Sequence, residues 1–589
     1  MSTQPPYESL REFVATLKRE GELVEVSTPV DPALEAGEIS MRVVREGGPA
    51  LLFRNPSGAA CPLLTNLFGT SRRIELALGE APAALGARLL EFLEALQPPT
   101  IKALIARRKL GMRLLAARTR VASENQDFVY EDPDLARLPI LTCWPEDGGR
   151  FVTFPLVLTH HPHTGRRNLG IYRMHVFDRA TTGMHWQIEK GGGFHYAAAE
   201  RDGRSLPVAV VIGADPAVML SGVFPLPENV DELAFAAFLR GKPLRLAKSP
   251  SFPHPYPLEA ELVLEGEVAP RERRMEGPFG DHFGHYSGAA EFPVFRVNRV
   301  RRRRDAVFVA TIVGKPPQED KYLGMAVNEM MAPLVRLVHP EVSDLWAYPG
   351  AGFHNLAAVA VGERYHKEAI KTALGLMGQG QMSLTKCMVL VGEGVNVRSF
   401  PALLREMRHY FDPARDFILL KTTPYDTLDF SSFEMNLGSK MIVDATPGPK
   451  VSVNGAGPAA FPGAIEERFI EDMLFVVKVR DRDAAVAALP GYLKSGRGTA
   501  RIVALVGTDT DLADEENLLW GIFTRFEPAR DVYFEEIEMR GVAPVYRGGM
   551  GIDATWKPGY PKPLSMDEEI VRKVDRRWNE YAIESRTRR

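Results

Sequence analysis

The spacing of apolar residues near the start of the chain predicts a helix followed by a strand. Apolar side chains recur on one helical face between Ser9 and Glu20, and Gly21 is placed to end that helix. The apolar run Leu23–Val26 then predicts a short strand. We therefore predict that residues 1–125 form a small α/β lobe.

The chain beyond residue 125 has short apolar runs separated by frequent turn residues, which is typical of an antiparallel barrel or sandwich. The basic run 301–304 falls between two of these runs, and a hairpin tip explains it more simply than a nucleic-acid site. We predict a β-rich domain over residues 126–320. Its predicted strands lie at 155–159, 167–176, 207–212, 259–267, 292–301 and 306–313.

The last third of the chain contains an internal repeat. Two strand-like and loop segments recur at the same offset of 115 residues (392 to 507 and 413 to 528). We infer a duplicated α/β unit, with a first copy at 321–450 and a second at 451–560. The matching segments are 388–392 with 503–507 and 410–416 with 525–531.

The C-terminal segment 561–589 shows helical spacing of apolar residues between 566 and 583. The face includes Ile570, Val574 and Trp578. Such an amphipathic tail is typical of an element that packs on a neighbouring subunit. We predict an oligomerisation helix.

Composition narrows the class of protein. The 589 residues are 45% hydrophobic and 25% charged, which is enough for several domains, and the net charge of -3 gives no reason to expect nucleic acid as a partner. The three cysteines are far apart, which favours a reducing compartment over a zinc or disulfide framework. With no signal pattern and no apolar run near 18 residues, we predict a cytoplasmic chain without an integral membrane segment.

The segment 275–286 carries the first candidate chemistry. Glu276 and Asp281 lie five residues apart among glycines and a proline, which predicts a loop rather than a regular element. Two neighbouring acids rarely titrate alike, so one can hold a proton while the other stays ionised. An acid/base pair is the specific interpretation, and a surface turn with solvated acids is the alternative.

A second candidate lies about a hundred residues upstream. Asn168 and Arg173 lie in a run with alternating apolar and polar residues, and a glycine-rich turn that carries Lys190 follows. This pattern suits a strand pair that directs an amide, a guanidinium and a cationic loop towards one pocket.

Three segments together resemble the UbiD family of decarboxylases, which use prenylated FMN. They are Asn168-Leu169-Gly170-Ile171-Tyr172-Arg173, Glu276-Gly277-Pro278-Phe279-Gly280-Asp281, and Gly438-Ser439-Lys440-Met441 leading into Asp444-Ala445-Thr446. The resemblance implies an α+β and α/β multidomain fold: a small N-terminal α/β lobe, a central split β-barrel of the flavin-reductase type, and a C-terminal α/β domain with the internal duplication.

The resemblance also implies roles for individual residues. Arg173 would anchor the substrate carboxylate, Asp281 would donate a proton after CO2 leaves, and Glu276 would act as its partner. The order of the two acids follows the resemblance alone. The implied cofactor-binding residues are Ile171, Tyr172, Arg173, His185, Trp186, Gln187, Lys190, Gly191 and Lys440.

A metal site is implied at Asn168 and Glu232. Oxygen ligands of this kind suit Mn2+ or Mg2+, and K+ is a further expected cation. Some relatives have a histidine where this chain has Glu189-Lys190, so the third ligand stays open, with Glu189 as the candidate. Glu232 also falls at the start of a predicted helix, where an acid favours the helix dipole without any metal.

The implied reaction is the reversible, non-oxidative decarboxylation of an aromatic or unsaturated acid. Segments 145–151 and 181–186 and the duplication look most like the long branch of menaquinone biosynthesis, which implies a dihydroxynaphthoate. The alternative substrate is 4-hydroxy-3-polyprenylbenzoate of ubiquinone biosynthesis. Two other classes stay open: a non-catalytic carboxylase assembly subunit and an FMN-dependent oxidoreductase.

The resemblance implies partners too. A flavin prenyltransferase would supply the cofactor, and the chain would form a homo-oligomer, either a dimer or a hexamer. A prenylated substrate would place the enzyme at the membrane surface without inserting it.

Overall fold

The structure of the chain is a computed structural model, and it describes residues 5–94, 108–122, 128–186, 190–227, 230–451, 457–495 and 501–583. The chain forms two compact units. The first unit contains Met1–Asp281, His285–Met330 and Pro563–Arg589, and the second contains His282–Gly284 and Met331–Lys562. The predicted mixed α/β, multidomain class is confirmed.

The N-terminal lobe begins with the predicted helix. The helix Leu10–Arg19 starts where the hydroxyl of Ser9 accepts a hydrogen bond from the Glu12 amide, and it buries Leu10 and Leu17. Strand β1, Leu23–Val26, follows it. Both elements match the prediction from apolar spacing.

The first unit contains eighteen strands among its described residues, in sheets that lie largely between short helices. The strands are β1 Leu23–Val26, β2 Ala50–Phe53, β3 Leu63–Thr65, β4 Thr119–Ala122, β5 Phe128–Glu131, β6 Phe151–Val152, β7 Leu156–His160, β8 Arg167–Ile171, β9 Met174–His175, β10 Thr181–Gly183, β11 Leu206–Ile212, β12 Leu244–Ala247, β13 Tyr256–Pro257, β14 Leu262–Glu276, β15 Phe279–Gly280, β16 Tyr286–Ser287, β17 Ala290–Arg303 and β18 Phe308–Val309.

Helices alternate with these strands along the chain. The described helices of the first unit are Leu10–Arg19, Glu35–Arg45, Ser71–Leu78, Pro82–Glu94, Arg108–Ala116, Gly191–Arg201, Pro216–Ser221, Glu232–Arg240 and Glu568–Arg577, with short 3-10 turns at Leu135–Arg137 and Trp578–Tyr581. The helix Glu319–Val335 begins in the first unit and ends in the second.

The central sheet is antiparallel and open. Its order is β10-β17-β14-β11-β7-β8, with β5 paired to β17, and the two end strands β10 and β8 are not joined among the described residues. The expected closed or split barrel is therefore seen only as an open sheet. Two predicted strands also differ: 167–176 is interrupted between β8 and β9, and 306–313 is reduced to β18, which joins β3 of the N-terminal sheet.

The basic run 301–304 lies at the end of β17 and in the turn that follows it. Arg301 lies in β17 and is fully buried, with its guanidinium 3.3 Å from the ring centroid of Phe128. Arg302 and Arg303 end the strand and pair with acidic side chains. Arg304 lies in the exposed turn, so the predicted tip is found at the last residue of the run, and packing and ion pairs account for the other three.

The second unit consists of two sheets with the same topology. The orders β19-β20-β21-β23-β22 and β24-β25-β26-β28-β27 repeat, and in each sheet the second, third and fourth strands are parallel. The strands are β19 Val342–Ala347, β20 Ala357–Val361, β21 Cys387–Gly392, β22 Phe417–Pro424, β23 Leu437–Ala445, β24 Ala464–Ile470, β25 Leu474–Val479, β26 Ile502–Val506, β27 Val532–Arg540 and β28 Ala543–Ala554.

The helices of the second unit repeat in the same way, and the two halves pack on each other reciprocally. The short helix Pro413–Asp416 packs on β28, and its counterpart Pro528–Asp531 packs on β23. The remaining described helices are Glu368–Leu376, Phe400–Tyr410, Arg482–Lys494 and Glu515–Phe523, with 3-10 turns at Pro349–Ala351 and Gly380–Leu384.

The C-terminal segment is shorter as a helix than the predicted 566–583. The helix Glu568–Arg577 gives way to a 3-10 turn at Trp578–Tyr581. Val574 and Tyr581 are fully buried against the N-terminal lobe, where the segment packs on the helix Glu35–Arg45. Part of its apolar face is thus covered within the chain, and the oligomerisation role stays a prediction.

No helix in the described part of the chain is both long and apolar enough to span a bilayer.

Candidate active site

The two acids of the glycine-rich segment lie on either side of a turn that follows one long strand. Glu276 is the last residue of β14, and Gly277 turns the chain with a φ of 93°, a conformation that favours glycine. Strands β15 and β16 then form a short hairpin, and the Asp281 amide donates to the carbonyl of His285 at 3.1 Å. Glu276 is 1% exposed and Asp281 7%, so neither is a solvated surface acid.

Arg173 brings these two acids together. It lies between β8 and β9, where Nε is 3.2 Å from Glu276 Oε1 and Nη1 contacts Asp281 Oδ2. Nη2 donates to the hydroxyl of Ser287 at 3.0 Å. The guanidinium also lies over the ring of Phe279, with Cζ 4.8 Å from the ring centroid. A single side chain therefore links both acids of the predicted pair.

His185 joins Arg173, Glu276 and Asp281 through a contact with Glu276. Its Nδ1 lies 2.7 Å from Glu276 Oε1, and the ring is 5% exposed. Gly183, two residues earlier in β10, passes so close that an added Cβ would lie 2.6 Å from Glu276 Oε2. A larger residue at that position would displace the carboxylate.

Charge and burial act in opposite directions on this pair. Burial raises the pKa of Glu276, but the hydrogen bond and charge of His185, together with Arg173, outweigh it and leave that pKa below its usual value. Burial and the charge of Arg173 lower the pKa of His185. At neutral pH we expect an ionised Glu276 that accepts a hydrogen bond from a neutral His185.

A second cluster contains the predicted metal ligands. Asn168 in β8 donates to the hydroxyl of Tyr172 at 3.2 Å, and that hydroxyl accepts from the Gly192 amide at 3.2 Å. An added Cβ at Gly191 would lie 2.1 Å from Asn168 Oδ1, so this oxygen faces the first turn of the helix Gly191–Arg201. Burial raises the pKa of Tyr172 to about 12.

Glu232 approaches the same strand from the helix Glu232–Arg240. Its Oε2 accepts a hydrogen bond from the Leu169 amide at 3.0 Å. Burial raises the pKa of Glu232 to about 7, against the hydrogen bonds that lower it. Asp231 caps the helix and Glu232 lies in its first turn, as expected for an acid that favours the helix dipole, while its contact with β8 is also what the predicted metal site requires.

The other predicted cofactor-binding residues differ in their positions. Lys190 directly precedes the helix Gly191–Arg201, and Ile171 ends β8. Lys440 belongs to the second unit, where it donates to the Ser383 carbonyl and burial lowers its pKa to about 8. Its contact with the cofactor stays a prediction. Gln187 and Glu189 lie outside the described residues.

His185 and His195, which lie near the predicted metal ligands in the sequence, each use Nδ1 in another contact. His195 Nδ1 lies 2.9 Å from the hydroxyl of Thr159, and His185 binds Glu276. In the described ranges, no group of three or more His, Cys, Asp or Glu side chains is arranged to hold a metal ion. A cation at Asn168 and Glu232 would need further ligands from another source.

Sequence reasoning missed two residues of this site. Ser287 binds Arg173, and Asp147 accepts a hydrogen bond from the Gly280 amide at 2.8 Å. Asp147 lies in the segment 145–151, which the sequence marks only as a sign of the long branch. The turn residues around it were a signal that this segment forms a structured loop.

Comparisons with known proteins identify the family of the chain. Models of the N-terminal, Rift-related and C-terminal domains of 3-octaprenyl-4-hydroxybenzoate carboxy-lyase match residues 14–93, 117–316 and 321–445. A protein of Chlamydia trachomatis is 40% identical over 583 residues, which covers 97% of this chain and 99% of that protein. The chain belongs to the UbiD family. Its members are carboxy-lyases. The second copy of the repeat, at 451–560, lies beyond the residues that the three domain models match.

Other UbiD relatives and structures differ in how much of the chain they cover. A Chlamydia pneumoniae protein, named as one subunit of 4-hydroxybenzoate decarboxylase, is 38% identical over 97% of this chain and 98% of its own. The UbiD-class enzyme HmfF of Pelotomaculum thermopropionicum in complex with FMN has a TM-score of 0.63 at 27% identity, over 77% of this chain and 98% of its own. Vanillic acid decarboxylase of Sedimentibacter hydroxybenzoicus, in closed form, has a TM-score of 0.67 at 25% identity, over 77% of this chain and 96% of its own.

The site residues fit the flavin cofactor of UbiD-class enzymes. Four buried polar atoms around the two clusters have no hydrogen-bond partner among the described residues: Thr182 Oγ1, His185 Nε2, Trp186 Nε1 and Glu276 Oε2. Buried polar atoms are rarely left unpaired, so these atoms are suited to polar groups of a ligand. The backbone of Gly191 and Gly192, at the start of the helix Gly191–Arg201, packs closely against the side chains of Asn168, Tyr172 and Trp186, which are among the residues predicted to bind the metal or the cofactor.

Proposed function

We propose that the chain catalyses the reversible, non-oxidative decarboxylation of an aromatic or unsaturated carboxylic acid, with prenylated FMN as cofactor. The observation that carries the proposal is the bridge that Arg173 forms between Glu276 and Asp281. A guanidinium beside two buried acids suits a reaction that must hold a carboxylate and then move one proton.

Ile171, Tyr172, His185, Trp186, Gln187, Lys190, Gly191 and Lys440 would hold the cofactor. Asn168 and Glu232 would bind Mn2+ or Mg2+ beside its phosphate, with Glu189 as the proposed third ligand and K+ as a further cation. Prenylated FMN, when bound, supplies the electron sink that no protein side chain provides for the carbanion character left on an sp2 carbon. We also infer that the open sheet built on β14 and β17 is the split-barrel core of the family.

Arg173 would bind the substrate carboxylate. A guanidinium has five N–H groups, and the three contacts to Glu276, Asp281 and Ser287 leave N–H groups for a further acceptor. When the substrate carboxylate binds this guanidinium, the positive charge of Arg173 is shared between two carboxylates. Arg173 then favours the ionised form of Asp281 less strongly. Asp281 is then the proposed donor of the proton that replaces CO2.

Glu276 would return a proton to Asp281 after each turnover. It is ionised at neutral pH and fixed by His185, so it accepts a proton from its surroundings and passes it to Asp281 after each turnover. The burial of both acids excludes water, so that the proton goes to the substrate carbon in a fixed direction.

The proposed substrate is a dihydroxynaphthoate of menaquinone biosynthesis. Its support is the long chain with the duplicated C-terminal unit, which the full-length chlamydial relatives share over 97% of this chain. The alternative of ubiquinone biosynthesis, a 4-hydroxy-3-polyprenylbenzoate, would use the same acids. A prenylated substrate would bring the enzyme to the membrane surface.

A second candidate is a hydroxybenzoate decarboxylase that works with other protein chains. The observation that favours it is that the Chlamydia pneumoniae relative is named as one subunit of 4-hydroxybenzoate decarboxylase. The acids and Arg173 would act in the same way, and only the ring and the assembly would differ.

The experiment is to produce the chain together with a flavin prenyltransferase, without oxygen and with Mn2+, and to record its native mass and absorbance. We expect a bound species heavier than FMN by one prenyl unit. The loaded protein is then assayed for CO2 release from dihydroxynaphthoate, 4-hydroxybenzoate and 4-hydroxy-3-polyprenylbenzoate. A folded protein that binds only FMN, or none, and releases no CO2 would favour the oxidoreductase or the assembly subunit.

A further inference from the structure

Asp147 holds the loop that carries the catalytic acids. Its Oδ1 accepts a hydrogen bond from the Gly280 amide at 2.8 Å, and Gly280 is the residue directly before Asp281. Its Oδ2 accepts from the amides of Cys143 and Trp144 at 3.0 and 2.9 Å. One carboxylate therefore ties the turn 143–147 to the backbone beside Asp281.

Three further contacts join the same two segments. The Gly148 amide donates to the Pro278 carbonyl at 2.8 Å, and the Glu146 amide donates to the hydroxyl of Tyr286 at 3.1 Å. An added Cβ at Gly280 would lie 2.2 Å from Cδ1 of Trp144, so the backbone at Gly280 packs directly against the Trp144 indole ring. Among these contacts, only the one made by Asp147 depends on a side-chain charge.

Burial and hydrogen bonds have opposite effects on the pKa of Asp147. Burial raises the pKa of Asp147 to about 6, although three backbone N–H groups and the charge of Arg173 lower it. The other titratable groups that face it are Cys143, whose pKa is raised well above its usual value, and Tyr286, whose pKa is raised to about 12. The ionised carboxylate accepts all three N–H groups, whereas the protonated form is a weaker acceptor.

We propose that Asp147 is a positioning residue for the decarboxylation: through the Gly280 amide it sets the backbone that aims Asp281 at Arg173 and the substrate. Asp147 does not itself contact the reacting atoms. This inference rests on the proposed function for its kinetic consequence, but the structural link between Asp147 and Gly280 can be measured without any substrate.

The kinetic test uses Asp147→Asn in the cofactor-loaded full chain, with Asp134→Asn as the matched control. Asp134 also accepts a backbone N–H at a turn of the first unit, from Ala136 at 3.3 Å, and its other carboxylate oxygen accepts from Arg179. For whichever of 4-hydroxybenzoate and dihydroxynaphthoate is turned over, we expect Asp147→Asn to lower kcat about 10- to 100-fold, with KM within about twofold. The control keeps both values.

The pH profile separates positioning from a general loss of structure. Below a pH of about 6 the wild-type carboxylate takes up a proton, so part of the acid-side fall in kcat comes from Asp147. Asp147→Asn cannot titrate, and we expect its kcat to be low throughout and its acid-side fall to be shallower. Flavin content and thermal midpoint stay close to those of the wild type.

Hydrogen exchange of the wild-type chain tests the link even if the variant does not fold. We expect the amides of residues 277 and 279–281, corrected for intrinsic chemistry, to exchange about tenfold faster at a pH of about 5 than at about 7.5. Equal protection at both pH values, or an Asp147→Asn enzyme with unchanged kcat and pH profile, overturns the proposal. A chain that decarboxylates nothing but still shows the exchange difference would refute the proposed function and leave the role of Asp147 in the loop intact.

Discussion

The Nδ1 atom of His185 lies 2.7 Å from Oε1 of Glu276, in a pair that is almost completely buried. Nε of Arg173 approaches the same oxygen at 3.2 Å. One carboxylate oxygen thus receives a neutral and a charged donor, while the other, Oε2, has no partner in the described part of the chain. Oε1 of Glu276 is therefore held by two donors, and Oε2 is left to accept a hydrogen bond from a ligand.

Glu276→Gln should abolish most of the activity. The amide keeps the shape of the side chain but can neither hold nor return a proton, and loss of proton transfer typically costs about 10²- to 10⁴-fold in rate. We expect CO2 release to fall by at least about 10²-fold while the flavin absorbance of the loaded protein stays. The matched control is Glu272→Gln on the same strand, where the acid pairs with Arg296 at the surface. Unchanged turnover in Glu276→Gln would favour a non-catalytic role in a carboxylase assembly.

His185→Phe should move the acid limb of the pH profile upwards. His185 lowers the pKa of Glu276, so its removal brings that pKa closer to the value that burial alone would impose. Because the ionised carboxylate is the active form, activity is then lost at a higher pH as the solution is acidified. The measurement is kcat/KM against pH, with the exposed His163→Phe as control. An acid limb that stays in place would mean that another group sets it.

Local patterns in the sequence predict the parts of this site that depend on neighbouring residues. The glycines after Glu276 correctly indicate a turn at Gly277, although Glu276 itself ends a strand, and the apolar spacing before Gly21 gives the helix Leu10–Arg19. The repeat offset likewise finds segments that occupy equivalent strands in two sheets of one topology.

Contacts between distant segments were not predictable in the same way. The hydrogen bond of His185 to Glu276 spans 91 residues, and that of Asp147 to Gly280 spans 133. Apolar spacing reports which face of an element is buried, but not which polar groups meet across elements. The interruption at Tyr172 and Arg173 also escaped the strand pattern, because there the side chains turn to polar partners instead of continuing the ladder.

Glu232→Gln should reduce bound metal. Carboxylate oxygen is a preferred ligand of Mn2+ and Mg2+, and a neutral amide in the same place is a weaker one. We expect elemental analysis of the chain prepared with Mn2+ to show a clear loss of manganese, and Asn168→Ala to show the same loss. The control is Asp202→Asn, an acid that pairs with His163. Full manganese content in both variants would exclude this pair as the metal site.

Glu35→Gln should loosen the C-terminal segment. Glu35 is buried and binds Lys573 at 2.9 Å, Tyr581 at 2.8 Å and Arg577. Breaking a buried ion pair costs about 3 kcal/mol, and hydrogen exchange of the helix Glu568–Arg577 measures the local loss. The exposed Glu46→Gln is the control.

The same contact predicts the direction of a pH effect. Burial raises the pKa of Glu35, but hydrogen bonds from Lys573, the Asp31 amide and Tyr581 leave it below its usual value of 4.5. Its stabilisation is therefore complete above that value and is lost as pH falls through the lower, folded-state pKa. Protection of the helix Glu568–Arg577 should decline on acidification in the wild type and respond less in Glu35→Gln.

Phe417→Ala should destabilise the second unit more than the equivalent change in the other copy. Phe417 is 8% exposed, and its ring centroid lies 4.9 Å from that of Phe534 and 5.0 Å from that of Tyr546, both in the second copy. The same offset of 115 residues leads from Phe417 to Val532, a partly exposed and smaller residue. Removing a buried phenylalanine ring costs about 3–5 kcal/mol, whereas removing two exposed methyl groups costs much less. We expect a lower urea midpoint for Phe417→Ala and a nearly unchanged one for Val532→Ala. Equal midpoints would mean that the two copies do not depend on this aromatic contact, although the short helix of each copy packs on a strand of the other.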